Sequence, residues 1–342
     1  MIRGAFVGAG SVALQGHLPA FLQDEWLARN VQIVAAVDEA PENLAALDAQ
    51  LGGALQAHRS VAALFEAGGF DFLDVCTPPH VRLEVIAEAA RRGWHVLCEK
   101  PLATSLERGR EIRRALEGRP VVFMPCHQYR YAPLWREVID RVRGGALGPV
   151  HLAQFEVLRT GPDPGSPHWR SGWRRRSEVA GAGIVLDIGT HYFYLLRTLF
   201  GLPEAVTART ACLGRERGDV EDTALVTLDY GARLVQLTLS WAARRRQNRF
   251  CIVGERGSLE WDGDGLRRDG PSPCTLPFAQ AMAKTAYPTW FAALFRDFAQ
   301  AVLEGRPSPE PVADAIDALR CAEAARLSAA CGRTVALAEV PE

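Results

Sequence analysis

The segment Gly8-Ala9-Gly10-Ser11-Val12-Ala13 follows directly on the apolar run Gly4-Ala5-Phe6-Val7, and it narrows the available folds more than any other stretch of the chain. In a G-x-G-x-x-A turn between a strand and a helix, the first glycine permits a tight turn and the second lets backbone amides approach a pyrophosphate. Gly8, Gly10, Ser11 and Val12 are therefore candidate contacts to a dinucleotide. The pattern alone is weak, but its setting strengthens it. The next apolar run ends at Asp38, where a carboxylate can accept hydrogen bonds from both hydroxyls of an adenosine ribose. A 2'-phosphate about 4 Å from that carboxylate would meet several kcal/mol of repulsion. Glu39, Ala40, Pro41 and Glu42 supply no cation to offset it, so the charge pattern favours NAD over NADP. The alternative, in which Asp38 turns outward and Arg59 or a more distant arginine receives the phosphate, stays open at this point.

Through about residue 126, short apolar runs alternate with amphipathic stretches, the pattern of a parallel sheet with crossover helices. Strands are expected at 4–7, 32–37, 72–76, 96–98 and 121–124. A helix is expected at 82–92, with Leu83, Ile86, Ala87 and Ala90 on one face and Gly93 as its left-handed cap. Another is expected to begin at Thr104, with Thr104 and Glu107 as a capping box, and to stop at Gly118 and Pro120. Pro19 would cost about 3 kcal/mol inside a helix, so the first helix is expected to start late or bend at His17-Leu18-Pro19. Beyond about residue 148 the pattern changes. Runs at 150–158, 224–228, 234–240 and 250–253, with turn residues at 229–231 and 254–257, read as a mainly antiparallel sheet. Residues 215–222 read as a mobile loop and 314–330 as a final helix. The fold class expected is α/β, with a dinucleotide-binding domain over 1–126 and a second α/β domain over 127–342.

Composition bounds the rest. With 342 residues, 48% hydrophobic and 23% charged, the chain is globular and long enough for two domains. Its 39 Lys and Arg against 40 Asp and Glu, a net charge of -1, offer no bulk field for nucleic acid or an anionic membrane. The eight cysteines never fall at C-x-x-C spacing, which suits buried thiols in a reducing compartment better than disulfides or zinc. No metal is expected. No apolar run approaches the roughly 18 residues of a bilayer span, and the chain opens directly into a strand. A cytoplasmic protein is expected.

Two clusters outside the glycine turn carry candidate chemistry. Glu99-Lys100-Pro101 follows the run at 96–98, at the carboxyl edge of the parallel sheet, where open α/β sheets bind ligands. An ammonium there can polarise a substrate oxygen, although an edge lysine paired with Glu99 is an equally simple reading. The second cluster runs from Gly181 to His191. If helix begins near Val185, Asp187 and His191 share one face, close enough for the carboxylate to orient the imidazole and raise its basicity. Imidazole, with an ordinary pKa of about 6.5, suits a general base near neutral pH. A helical Asp and His pair with only a structural role stays open too. The glycines just upstream point to a packed junction.

Taken together and in this order, these motifs resemble the glucose-fructose oxidoreductase, inositol dehydrogenase and rhizopine-catabolism (Gfo/Idh/MocA) family over nearly the whole chain. The resemblance rests on Gly8-x-Gly10-x-x-Ala13, Cys76-Thr77-Pro78-Pro79, Glu99-Lys100-Pro101, Arg130-Tyr131-x-Pro133, Gly183-x-x-x-Asp187-x-Gly189-x-His191 and Gly254-x-x-Gly257-Ser258-Leu259. It implies a Rossmann doubly wound domain followed by an α/β domain with an open, mostly antiparallel sheet, and reversible oxidation of a sugar or cyclitol hydroxyl. By the same likeness Lys100 contacts the reacting oxygen and the nicotinamide ribose, and Asp187 and His191 form the acid/base pair. Thr77, Pro78, His80 and Glu99 would line the nicotinamide half of the cofactor, with Gln128 and Arg130 nearby. The chain departs from the family where His-x-x-Asp is common: here the sequence is His191-Tyr192-Phe193-Tyr194.

The basic, aromatic stretch from Pro167 to Arg176, including Trp169 and Arg170, corresponds in that family to part of the substrate wall. Trp faces stack on sugars and arginines hold carboxylates or phosphates, while a solvated loop with a tryptophan plugging the domain interface is the simpler account. A second basic run, Arg244 to Arg249, reads as a solvated hairpin end. Alternation at Val226, Leu228, Val235, Leu237 and Leu239 suggests an apolar sheet face that a second copy covers in a homodimer or homotetramer. Three classes stand: a dehydrogenase, a glycoside hydrolase using held NAD transiently, and a non-catalytic NAD-bound sensor.

Overall fold

Glycine turns, apolar strands and amphipathic helices assemble into two sheets. The computed structural model describes residues 1–169, 172–214, 218–279, 281–308 and 310–341. Strands β1 (Ile2–Val7), β2 (Val31–Val37), β3 (Gln56–His58), β4 (Phe72–Val75), β5 (His95–Cys98) and β6 (Phe123–Pro125) form a parallel sheet in the order β3-β2-β1-β4-β5-β6. The chain reverses its winding between β1 and β4, and their carboxyl ends open a crevice at that switch point. Helices on both faces bury the strands, so β4 is buried at every position and its sequence lacks alternation. The helix at Arg82–Arg91 ends before Gly93, whose φ is 77°.

Two local expectations are corrected. The helix after β5 spans Leu106–Leu116 and is capped by the Ser105 side chain, which accepts from the Arg108 amide, so Thr104 is not the cap. Glu107 is then free to pair with Arg110 and Arg114. Of the two alternatives expected at His17-Leu18-Pro19, the late start is excluded, since helical backbone begins already at Ser11. A π turn over Ala13–His17, closed by the Leu18 amide on the Ala13 carbonyl, precedes an α segment, Leu18–Gln23, with Pro19 in its first turn. There its missing N–H costs little.

The second sheet contains β7 (Val150–Leu158), β8 (Ala205–Ala211), β9 (Thr223–Asp229), β10 (Leu234–Ser240), β11 (Gln247–Gly254), β12 (Gly257–Trp261), β13 (Gly265–Asp269), β14 (Cys274–Pro277) and β15 (Val335–Ala336). Their order is β14-β13-β12-β11-β7-β10-β9-β8-β15, antiparallel throughout except where β10 runs parallel to β7. The expected loop at 215–222 lies partly outside the described residues. Helices Gly189–Phe200 and Val312–Cys331 pack beneath this sheet. Val226, Leu228, Val235, Leu237 and Leu239 are buried on that inner face, so the expectation that they form a partner surface is overturned. The period-2 alternation is present in both strands, and its apolar side faces the chain's own helices. The outer face carries Leu152, Gln154, Thr227, Gln236 and Thr238, with Leu225 and Leu234 each 48% exposed.

Helix Tyr287–Glu304, late in the sequence, returns to the first sheet. Phe295 stacks on Phe21 at 4.5 Å, Phe298 meets Phe72 edge-on at 5.4 Å, and Phe291 and Phe295 sit against His17. Among the described residues no single helix is long and apolar enough to cross a membrane; the bent apolar pair Ser177–Asp187 and Gly189–Phe200 is largely buried in the protein core. All eight cysteines are free, with Cys98, Cys126 and Cys321 buried and Cys212 and Cys331 exposed. Because Leu237 lies wholly inside, Leu237→Ala is expected to lower unfolding free energy by about 2–5 kcal/mol in urea titrations. A loss under about 0.5 kcal/mol, the usual surface value, would place this face outside.

Candidate active site

A cleft of about 1150 Å³ runs along the carboxyl edge of the first sheet and under the second. At its floor Gly8 adopts φ 92°, and a Cβ there would come within 3.0 Å of the Thr77 backbone nitrogen, so the turn closes only around glycine. Gly10 differs: a Cβ would meet no protein atom within 4 Å. Its bare Cα faces open cleft beside the first helical amides, which have no intrahelical acceptors. That cradle fits a pyrophosphate.

At the adenosine end, Asp38 lines the cleft with its carboxylate already anchored. It accepts from the amides of Ala9 at 2.7 Å and Ala40 at 2.8 Å, and from Asn43 Nδ2 at 3.2 Å. Three bonds leave further acceptor positions on its two oxygens. A cation that sequence placed at a distance is brought in by β3: Arg59 donates to the Glu39 carbonyl at 2.7 Å and lines the same cleft. The segment after β7 crosses here as well, with Ser166 donating to Asn43 Oδ1 at 2.6 Å and Trp169 donating its indole N–H to Glu39 at 2.9 Å. Trp169 therefore stands at the Asp38 end of the cleft, while Arg170 lies outside the described residues.

Thr77, Pro78, His80, Glu99 and Gln128 line the other half. Thr77 Oγ1, Gln128 Oε1 and His191 Nδ1 are buried with no hydrogen-bond partner among the described residues. Such atoms are costly unless a ligand satisfies them, so this half fits a polar ring and ribose as the glycine turn fits phosphates.

Lys100 leaves the end of β5, where the Lys100–Pro101 peptide is cis, and reaches the second domain. Its ammonium donates to the Asp187 carbonyl at 2.9 Å and to Oδ1 at 3.0 Å; Glu99 instead accepts the Lys100 amide at 3.0 Å. Two close approaches hold Asp187 there. A Cβ at Gly181 would collide with the Thr104 carbonyl and one at Gly183 with the Glu221 carbonyl, so the junction closes only on bare Cα atoms. Glu221 accepts from the amides of Gly183 at 3.1 Å and Val185 at 3.0 Å, fixing the start of the short helix Ile184–Asp187. The Asp187 carboxyl stays ionised although burial opposes it, because Lys100 and then Arg174, 3.6 Å away, hold it below the usual range.

The expected Asp187 to His191 hydrogen bond is overturned. Helix breaks at Ile188 before Gly189–Phe200 begins, and Asp187 is turned to Lys100. His191 is oriented by stacking on Tyr129, with ring centres 4.2 Å apart and planes 6° from parallel. Its basicity is lowered, contrary to expectation: burial first, then the ammonium of Lys100 and the guanidinium of Arg159, push the imidazole well below its ordinary value. His191 is thus neutral, with Nδ1 unpartnered. Arg130, expected near substrate, forms an ion pair with the buried Glu310 at 2.6 Å, and it does not line the cleft. Residues that sequence reasoning missed include Tyr129, Arg159, Trp241, Arg246 and Tyr287. Arg159 left a signal as a polar residue directly after a strand, and Arg246 one as part of the basic run Arg244 to Arg249.

Behind the cleft lies a buried charge network that sequence gave no reason to expect. His17, in the π turn, donates to Asp74 Oδ2 at 2.9 Å and Glu99 Oε1 at 3.1 Å. Burial alone would lower this imidazole, but Asp74 and then Glu99 outweigh it and lift the pKa to about 9. Burial would raise the Glu99 carboxyl, yet the imidazolium bond and charge hold it below the usual range. The imidazolium thereby fixes the residue adjoining Lys100. Arg82 adds a second anchor, donating to the Glu99 and Pro101 carbonyls.

Comparison with known proteins shows the family. A family model described as "Oxidoreductase family, NAD-binding Rossmann fold" matches residues 2–127, and one described as "GFO/IDH/MocA C-terminal domain" matches residues 135–260. Levoglucosan dehydrogenase of Pseudarthrobacter phenanthrenivorans is 29% identical over 79% of this chain and 74% of its own length. D-apiose dehydrogenase of Paraburkholderia graminis is 28% identical over 98% of this chain and 89% of its own. The crystal structure of GenD2 from gentamicin A biosynthesis in complex with NAD superposes with a TM-score of 0.82 at 26% identity, covering 98% of this chain and 96% of that one.

The His17 network makes stability depend on pH with a definite sign. A folded pKa of about 9 above the unfolded 6.5 means that the contribution is complete below pH 6.5 and lost as pH rises toward 9. Urea titrations are expected to show a loss of about 3 kcal/mol across that window, and His17→Gln should flatten it. An equally steep profile in the variant would exclude His17 as the source.

Proposed function

The chain belongs to the GFO/IDH/MocA oxidoreductases, whose N-terminal domain is an NAD-binding Rossmann fold, and from that membership we propose that it is an NAD-dependent dehydrogenase acting on a CH–OH carbon of a sugar, sugar derivative or cyclitol. One observation carries the reading. The ammonium of Lys100 and the imidazole of His191, whose Nδ1 has no hydrogen-bond partner among the described residues, line one cleft with the glycine turn. Relatives named as dehydrogenases of levoglucosan and D-apiose support the substrate class.

Bound NAD supplies the hydride acceptor. Lys100 holds two acceptors on Asp187, and the third ammonium N–H is left for the substrate oxygen, where positive charge stabilises a developing alkoxide. Neutral His191 accepts the hydroxyl proton on a free ring nitrogen. In the reverse direction the same imidazole returns the proton to the carbonyl oxygen. Asp187 acts as a positioning residue: it keeps the ammonium charged and aimed, and leaves the imidazole to Tyr129. Residues 1–126 would hold the cofactor and the second sheet with its loops would close over the substrate. Lys100, Asp187 and His191 together leave a non-catalytic sensor without a use for them. The exposed outer face around Leu152, Leu225 and Leu234 is the surface through which two copies would pair, giving a dimer mass in light scattering.

Reduction of NAD across a panel of aldoses, cyclitols and sugar acids tests the proposal. Net NADH accumulation is expected, whereas glycoside cleavage without it would favour a hydrolase. NADP is expected to be a poorer substrate by about tenfold or more in kcat/KM, since Asp38 repels a 2'-phosphate despite Arg59. Lys100→Ala and His191→Ala should each lower kcat by about 10²–10⁴-fold, with NADH affinity by fluorescence nearly unchanged. Wild-type turnover in either variant would end the assignment.

A further inference from the structure

Resting on the dehydrogenase reading, we propose that the substrate carries an anionic group, a carboxylate or a phosphate ester, held at the substrate end of the cleft by Arg159 and Arg246 with Arg174 beside them. Charge is the starting point. Among the described residues beyond 150 the cleft is lined by the cations Arg159, Arg174, Arg246 and Lys284 and the carboxylates Asp163 and Asp187, with Lys100 and Glu99 reaching in from the first sheet. Lys284 is paired with Asp163, and Lys100 with Asp187. Two guanidinium groups, Arg159 and Arg246, have no ion pair among the described residues. Arg174 shares Asp187 with Lys100 at 3.6 Å and donates to the Asp163 carbonyl at 2.9 Å.

Arg159 is the strongest element. It is 6% exposed, and its partners are neutral: the Leu158 carbonyl at 2.8 Å, the Gln247 carbonyl at 3.2 Å and Asn248 Oδ1 at 2.9 Å. These use three of five N–H donors. A buried cation with no counter-ion among the described residues is costly, and an anionic ligand would offset that cost. Arg246 likewise has neutral partners, the Met282 carbonyl at 3.3 Å and the Tyr287 hydroxyl at 3.2 Å. The basic run between β10 and β11 is therefore not only a solvated hairpin end, since its Arg246 turns inward to the cleft.

Both arginines stand close to the chemistry. Arg159 is one of the cations holding down the His191 imidazole, and both act on Tyr129 and Tyr192 around it. An anion bound here would offset the Arg159 part of that field, while burial, the larger cause, keeps the imidazole neutral. Trp173 and Trp241 line the same region and offer ring faces to the sugar.

The test compares matched probes on the full-length protein: glucose, gluconate, glucuronate and glucose 6-phosphate. Calorimetric titration of the NADH-loaded protein is expected to show at least one anionic probe binding about 10- to 100-fold tighter than glucose, the range for charge-assisted hydrogen bonds, and weakening as NaCl is raised. Whether gluconate and glucuronate or glucose 6-phosphate leads distinguishes a carboxylate from a phosphate. Arg246→Gln, at an exposed position that folding tolerates, and Arg159→Gln should each cut the anion-to-glucose ratio about tenfold, with NADH binding as the check on folding. Equal binding of glucose and every anion, or an unchanged ratio in both variants, would overturn the inference whatever the turnover. Anion preference in binding with no NAD reduction by any sugar or sugar acid would instead sink the dehydrogenase reading and leave the anion site standing.

Discussion

The ion pair between Lys100 and Asp187 is the interaction on which the site depends. It joins the end of a strand in the first sheet to a short helix under the second, at 3.0 Å. Each partner is mostly shielded from water, so neither charge is tolerable without the other. The pair ties the glycine-turn side of the cleft to the side formed by the second sheet, through the same ammonium that the proposed function assigns to the reacting oxygen. Catalytic geometry and domain apposition are therefore one constraint. The glycines at 181 and 183 serve it by letting backbone approach where any side chain would hold the two elements apart.

A second layer supports the first. His17 between Asp74 and Glu99 places an imidazolium under the parallel sheet's carboxyl edge, capped from outside by Phe291 and Phe295 of the returning helix. Low local dielectric strengthens such a network when every member is satisfied. Burial also raises the Cys76 and Cys126 thiols well above their ordinary range, so the network's neighbours stay neutral. The cleft thus stands on a buried, hydrogen-bonded charge network, while Arg159 and Arg246 on its other side have neutral partners among the described residues.

Much of this was legible in particular residues. The strand ends before Gly8 and Asp38 could be read because parallel strands are short apolar runs punctuated by turn residues. The inner face of β9 and β10 was visible as alternation, but alternation says which residues share a side and never what covers it, hence the mistaken partner surface. Helix Tyr287–Glu304 went unread because its apolar residues surround much of the axis, as suits a helix wedged between a sheet and the rest of the protein. The Asp187 and His191 spacing suggested a bonded pair because i and i+4 meet on an unbroken helix; the break at Ile188 sends the carboxylate to a partner far away in sequence.

What the sequence by itself determined is the chemistry available and the local geometry that short-range sterics enforce: a glycine turn after β1, a carboxylate after β2, a lysine after β5, an imidazole beyond a glycine-rich junction. Tertiary structure alone decided which of these meet. Lys100 chose Asp187 over its neighbour Glu99, Arg130 was drawn to Glu310, Trp169 to Glu39, and Arg159 was buried beside the imidazole. Pairings of this kind are set by desolvation and by charges brought together from distant parts of the chain, and those energies do not exist until the two sheets have packed.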